Sequence, residues 1–176
     1  MLHVTPDAAL LELLSALADE GYSFTSITPA THERVIGRRS EARDLRDVFG
    51  WSLPFAEGAI PQACMELLRR ADALEECGGR LKSKVRVSSL QGGLFLHSAY
   101  PTSGQDSVFF GPDTYRYAAL LEAEMPRLGQ VRRIVDIGAG SGAGGIVAAK
   151  MAPGARLTLT DVNPAALRLA AINAAH

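Results

Sequence analysis

The sequence has few cysteines and no long apolar run, and these two absences exclude several classes of protein. Cys64 and Cys77 are the only cysteines among 176 residues, too few and too isolated for a disulfide framework or a zinc site. No stretch approaches the roughly 20 apolar residues of a membrane helix, and the N-terminus lacks the basic segment and cleavage site of a signal peptide. We therefore expect a soluble cytoplasmic protein that binds neither a metal nor a membrane.

An excess of charge of one sign is also missing, because 18 basic and 19 acidic residues leave a net charge of -1. This balance gives the whole molecule no attraction toward nucleic acid, so any basic surface must be local. Hydrophobic residues make up 47% of the chain and charged residues 21%, which is typical of folded domains. The length suits one ordinary domain or two small ones.

Helical signals dominate the first eighty residues. Each of three predicted helices starts at a capping residue or proline and ends at a glycine, over residues 5–21, 40–50 and 61–78. The hydrophobic period then changes from about 3.6 to about 2. Residues 80–89, RLKSKVRVSS, alternate as a strand, and Gln91, Gly92 and Gly93 turn the chain into a second strand over residues 94–97.

This predicted hairpin is basic. On a single strand Lys82, Lys84 and Arg86 would share one face. Such a face is either an ordinary solvated surface or a wing that contacts RNA, although no set of base-stacking aromatic residues accompanies it. Helices followed by a basic hairpin loosely resemble a winged-helix arrangement, that is, a small α+β domain.

Between Ser98 and Ser107 the composition shifts to serine, proline, glycine and tyrosine, which predicts a boundary between domains 1–99 and 100–176. The second domain starts with a helix after Gly111 and continues as strand, helix, strand and helix with short connections. This order is typical of a parallel sheet covered by helices, the first part of a Rossmann-like α/β fold. Two strands are too few for a doubly wound sheet, so the chain is expected to be the front part of a longer protein.

The segment VDIGAGSGAGGI, residues 135–146, places five glycines after the first of these strands. In doubly wound folds this loop lies closest to the ligand, and glycine lets the backbone approach it. Gly138, Gly140 and Gly142 are therefore candidate contacts. Asp161, at the end of the next strand, is placed to accept hydrogen bonds from two ribose hydroxyls. These features suit NAD and S-adenosylmethionine equally well.

Asp136 distinguishes the two ligands, because it precedes the loop and repels a pyrophosphate. At an effective dielectric constant near 20 and a separation of ~5 Å, one pair of unit charges contributes roughly 3 kcal/mol. S-adenosylmethionine carries an ammonium and a sulfonium, which a carboxylate attracts, so the methyl donor is favoured. Asp136 could instead hold only the amides of the loop. Asn163 is either an adenine contact or, as we favour, a helix cap.

The same residues carry a family resemblance. VDIGAGSGAGG followed by LTDVNPAALRLAAINA resembles motifs I and II of class I S-adenosylmethionine-dependent methyltransferases, and is most similar to the methyltransferase small-domain type. That type includes ribosomal RNA guanine-N2 methyltransferases and release-factor glutamine methyltransferases. Their D-x-N-P-x-A-L-x-x-A-x-x-N segment is matched here by Asp161, Asn163, Pro164, Ala166, Leu167, Ala170 and Asn173.

FGPDTY, residues 110–115, is similar to the P-R-P-(D/E)-T-E segment of the glutamine methyltransferases, with Gly111 and Tyr115 replacing arginine and glutamate. The resemblance implies that S-adenosylmethionine is the cofactor and that Asp161 holds its ribose. It places four residues around the methionine part and three more in the pocket wall: Asp136, Gly138, Gly140 and Gly142, then Phe110, Asp113 and Thr114. The catalytic (N/D)-P-P-(Y/F) motif of these families does not occur in the 176 residues, so we expect a donor site without catalytic residues.

Three classes of function remain open. The favoured one is a methyltransferase that acts on RNA, with Lys82, Lys84 and Arg86 as RNA contacts, or on a protein side chain such as glutamine. The alternatives are a non-enzymatic winged-helix protein that binds nucleic acid and an NAD(P)-dependent oxidoreductase.

Overall fold

The computed structural model describes residues 5–176, so residues 1–4 of the predicted first domain lie outside it. The first part contains α1 Pro6–Asp19, α2 Pro29–Ile36, α3 Leu45–Phe49, α4 Gln62–Arg70, β1 Leu74–Cys77, β2 Arg80–Ser83, β3 Val85–Leu90 and β4 Gly93–Ser98. The second contains α5 Pro112–Glu124, a 3-10 turn Met125–Leu128, β5 Arg133–Ile137, α6 Ala143–Met151, β6 Arg156–Thr160 and α7 Pro164–Ala175. Over residues 5–176 no helix has the length and apolarity to cross a bilayer.

The predicted starts of the first and last helices are confirmed, because each has a capping side chain followed by proline. The Thr5 hydroxyl accepts a hydrogen bond from the Ala8 amide at 3.2 Å. Asn163 Oδ1 accepts one from the Ala165 amide at 2.9 Å. Each cap satisfies an amide that has no partner within its own helix.

Two predicted helices have different bounds in the structure. The second one begins only at α3, capped by Asp44 rather than Ser40, and α2 was not predicted. The third ends at Arg70, because Asp72 adopts a left-handed backbone with φ 50°. Leu74, which falls inside the predicted helix 61–78, instead opens β1.

The prediction of one basic hairpin over residues 80–97 is wrong. Residues 80–89 form two strands with different antiparallel partners, since β2 pairs with β1 and β3 pairs with β4. The chain breaks its alternation at Ser83, whose hydroxyl donates to the Val85 carbonyl at 2.8 Å and accepts from its amide at 3.2 Å. Lys82, Lys84 and Arg86 therefore share no common strand face. The winged-helix arrangement stays a prediction.

Strands β5 and β6 pair in parallel, with Asp136 opposite Leu159, and α6 connects them. Together with α7 they form the predicted mixed α/β unit of strand, helix, strand and helix. Side chains alternate across this sheet, so that Asp136 faces α6 while Val135 and Ile137 are 61% and 86% exposed. The inner face is close to α6 because Gly145 leaves room for the side chains of Leu157 and Leu159.

The two parts of the molecule share their cores. The larger cluster of buried residues is built mainly on the first part, but it includes Leu169 and Ile172 of α7. The smaller cluster joins Phe95 of β4 to Phe110 and to Ile146 of α6. Helix α7 is thus packed against the first part as closely as against its own sheet.

Candidate functional site

A cavity of about 470 Å³ lies at the carboxyl ends of β5 and β6, the edge where parallel sheets bind their ligands. Its volume falls in the ordinary range for small-molecule sites. Seven of the nine residues predicted to contact a cofactor line this cavity: Asp113, Thr114, Asp136, Gly138, Gly140, Asp161 and Asn163. The structure therefore brings together residues that are up to fifty positions apart in the chain.

The glycine loop follows β5 directly and has a left-handed backbone at three positions. Gly138, Gly140 and Gly142 have φ values of 72°, 54° and 78°, a region that side chains with a Cβ disfavour. The amides of Gly138 and Ala139 both donate to the Thr160 carbonyl at 2.9 Å. These bonds fix the loop against the end of β6 and keep it at the cavity wall.

Asp161 connects the loop to the end of β6. Its Oδ1 accepts from the Asn163 amide at 2.9 Å and its Oδ2 from the Gly140 amide at 2.8 Å. The hydrogen bond from the Asn163 amide, and after it the one from the Gly140 amide, hold the pKa of the Asp161 carboxyl below its usual value. Each ionised oxygen can accept a further hydrogen bond, so Asp161 can organise the loop and still bind hydroxyl groups of a ligand.

Asp136 holds the first turn of α6. Its Oδ2 accepts from the Gly145 amide at 2.8 Å, at a helix N-terminus where the macrodipole favours a negative charge. The alternative that Asp136 holds amides of the loop region is therefore seen in the structure. The same carboxylate also lines the cavity, so this bond leaves a ligand contact available.

Two predicted cofactor contacts do not line the cavity. Phe110 is 3% exposed and stacks on His97, with ring centroids 5.0 Å apart. Its neighbour Phe109, 52% exposed, lines the cavity instead, because successive side chains of an extended segment point to opposite sides. A Cβ on Gly142 would lie 3.0 Å from the Cβ of Ala170, so Gly142 serves close packing rather than ligand contact.

Sequence reasoning missed Phe109, Tyr117 and Ser141 as lining residues. The ring of Tyr117, on α5, lies over Gly144, where a Cβ would collide with it. The second pair of glycines, Gly144 and Gly145, was the available signal, since a helix that begins with two glycines admits unusually close neighbours.

The cavity wall is acidic. Asp113, Asp136 and Asp161 contribute carboxylates, and among the lining residues of the described chain there is no lysine, arginine or histidine. Asp113 is exposed and pairs with Arg116 at 3.2 Å. A ligand with positive charge suits this wall, whereas a pyrophosphate finds no cation there.

The structure gives the three predicted RNA contacts, Lys82, Lys84 and Arg86, different hydrogen-bond partners. Lys82 Nζ donates to the Tyr100 carbonyl at 2.8 Å, and Lys84 Nζ donates to the Asp72 carbonyl at 3.0 Å. Arg86 is only 4% exposed, so the expectation that it contacts RNA at the surface is wrong. Its Nε donates to the Gly50 carbonyl at 2.8 Å, and burial lowers the pKa of its guanidinium to about 10.

A glycine-rich loop between two parallel strands and an acid after the second strand are typical of α/β domains whose ligand lies at the carboxyl ends of the strands. The family model of the methyltransferase small domain matches residues 106–176 of the chain. The predicted resemblance to that type is confirmed. A comparison of the chain with curated proteins gives no match.

Proposed function

We propose that the protein is an S-adenosylmethionine-dependent methyltransferase that methylates a nitrogen of RNA or of a protein side chain such as glutamine. The observation that best supports this proposal is a cavity with three carboxylates and no basic residue among its lining residues, most of which lie in the segment that matches the methyltransferase small domain. When bound, S-adenosylmethionine supplies a methyl group on a sulfonium, which is already a good leaving group. The protein then has to bind and orient the donor, and positioning of this kind can supply a large part of a catalytic rate.

The chain's residues divide this work between the two strand ends. Asp161 accepts the ribose hydroxyls while its bonds to Gly140 and Asn163 keep it ionised and fixed. Asp136 provides negative charge for the ammonium of the methionine part. The left-handed turns at Gly138 and Gly140 let the backbone lie against the donor without a Cβ between them.

Charge favours the methyl donor over NAD(P). A carboxylate at ~5 Å from one unit charge contributes roughly 3 kcal/mol at an effective dielectric constant near 20. Asp136 attracts a cationic ligand and repels a pyrophosphate, whereas Asp161 can accept ribose hydroxyls from either ligand. Phosphate-binding loops instead rely on unopposed backbone amides, but the Gly140 amide here is already bonded to Asp161.

Tyr115 argues against glutamine as the acceptor. The glutamine methyltransferases have a glutamate at the matching position, but Tyr115 points toward the first part of the molecule. Its hydroxyl accepts from the Ser26 amide at 2.9 Å, and its ring packs edge-on against Phe110. This chain therefore uses the position to join its two parts.

Calorimetry should show binding of S-adenosylhomocysteine and no binding of NAD at the same concentrations. The demethylated product keeps the ammonium and the ribose hydroxyls that the two aspartates accommodate, whereas NAD brings two phosphate charges to an acidic wall. Binding of NAD together with exclusion of S-adenosylhomocysteine would refute the proposal.

The RNA acceptor is tested by filter binding at low and high salt. RNA affinity should fall steeply as salt rises, and the double variant Lys82→Glu, Lys84→Glu should reduce it strongly. Arg127→Glu, on an exposed residue of the 3-10 turn, controls for charge reversal elsewhere and should have little effect. Equal RNA binding by both variants would remove the lysines from the interface and favour a protein acceptor.

A further inference from the structure

The amide of Asn173 joins backbone groups from the two parts of the molecule. Its Oδ1 accepts from the Leu96 amide at 2.8 Å, and its Nδ2 donates to the carbonyls of Leu96 at 3.0 Å and Ser141 at 2.8 Å. Asn173 is only 3% exposed, so these bonds form away from water. Three of the four hydrogen bonds open to an asparagine amide are thus made, which fixes its orientation.

Leu96 lies on β4, whose other edge pairs with β3. The edge opposite β3 presents backbone groups without a strand partner, and such groups need partners when buried. Asn173 binds the amide and the carbonyl of Leu96 together, as a neighbouring strand would. The side chain therefore acts as a one-residue extension of this sheet.

Ser141 lies in the glycine loop and lines the cavity. The carbonyl that Asn173 holds therefore belongs to the loop that shapes this site. Helix α7, which carries Asn173, is itself fixed on the first part through buried Leu169 and through an ion pair between Arg168 and Asp7 at 2.6 Å. The side chain of Asn173 thus links the loop directly to β4.

We propose that Asn173 is a positioning residue, which holds the glycine loop in the conformation that binds the donor and couples donor binding to β4. The coupling rests on the proposed function, because the cavity is assigned there to the methyl donor. Coupling between two sites is reciprocal. If β4 sets the loop, then a ligand that fixes the loop must also stabilise β4.

Asn173→Asp tests the inference with almost no change of shape. The aspartate keeps an acceptor for the Leu96 amide but loses both donors, and it sets a carboxylate against two carbonyl oxygens. Its dissociation constant for S-adenosylhomocysteine should rise about tenfold. Ile172→Ala, one residue away and also buried, lowers stability but leaves the three hydrogen bonds of Asn173 in place. It should bind within about twofold of the unchanged protein.

Amide hydrogen exchange in the intact protein separates positioning from a merely structural role. S-adenosylhomocysteine should slow exchange of the Leu96 amide in the unchanged protein and in Ile172→Ala, but not in Asn173→Asp. Equal affinity of Asn173→Asp and the unchanged protein, or exchange at Leu96 that ignores the ligand, would overturn the inference.

Amide hydrogen exchange measured without ligand tests the role of Asn173 independently of the proposal that the cavity binds the methyl donor. Without ligand, Asn173→Asp should speed exchange of the Gly142 amide, which donates to the Ala139 carbonyl within the loop, more than Ile172→Ala does. Equal exchange in the two variants would overturn the positioning role. If faster exchange is seen but the unchanged protein binds no S-adenosylhomocysteine, the loop-holding role is supported and the proposed function is refuted.

Discussion

Replacing Arg86 with glutamate is expected to lower the free energy of unfolding by roughly 3–5 kcal/mol or more, a large part of the 5–15 kcal/mol typical of a domain. Arg86 is 4% exposed and forms no ion pair with a carboxylate within residues 5–176. Its guanidinium donates to the Gly50 carbonyl and lies 5.5 Å from the centre of the Phe24 ring. A glutamate would bury a negative charge against that carbonyl and that ring face, with no donor left to satisfy it.

Urea denaturation measures this effect, with Arg86→Met as the matched control. Methionine keeps an apolar stem and removes the charge, so the bond to Gly50 and the contact of the guanidinium with the Phe24 ring are lost, and we expect a cost of about 1–3 kcal/mol. Equal midpoints for Arg86→Glu and the unchanged protein would mean that the side chain is at the surface after all. The same burial explains why only the two lysines are reversed in the RNA test.

Asp161→Ala should weaken the binding of S-adenosylhomocysteine by about 1.5–3 kcal/mol, the usual contribution of hydrogen bonds to a charged group. The variant removes the acceptor proposed for the ribose and also releases the Gly140 amide that shapes the loop. Asp161→Asn keeps one acceptor oxygen, so its loss should be smaller. Calorimetry at neutral pH gives both values.

Asp19→Ala is the control for Asp161→Ala, because Asp19 lies at the exposed end of α1, away from the cavity. It should leave the affinity unchanged. If Asp161→Ala also binds as the unchanged protein does, then the ribose lies elsewhere and the assignment of this strand end is wrong.

Local chemistry explains which parts of the fold could be predicted. Thr5 and Asn163 are caps followed by proline, and both helices begin where such a pair requires. The glycine loop and Asp161 could be predicted because glycine is the residue that positions with φ above zero favour, and because an acidic residue at the end of a strand is visible in the sequence. These features depend on neighbours close along the chain.

The errors concern partners that are distant along the chain. Residues 80–89 alternate well enough for one strand, and nothing within them shows that β2 would pair with β1 and β3 with β4. Phe109 and Phe110 are chemically identical, and the sequence does not show that Phe110 is the ring that packs against His97 and Phe95. Arg86 looked exposed because a buried arginine without a carboxylate partner is rare.

Because residues of both parts are buried in one core, the first part cannot be separated from the second without exposing apolar side chains. Leu169 and Ile172 of α7 are buried among residues of the first hundred positions, so severing the chain in the segment between β4 and α5 would expose them to water. The first part therefore cannot be exchanged for an unrelated domain unless α7, which packs against it, is redesigned as well.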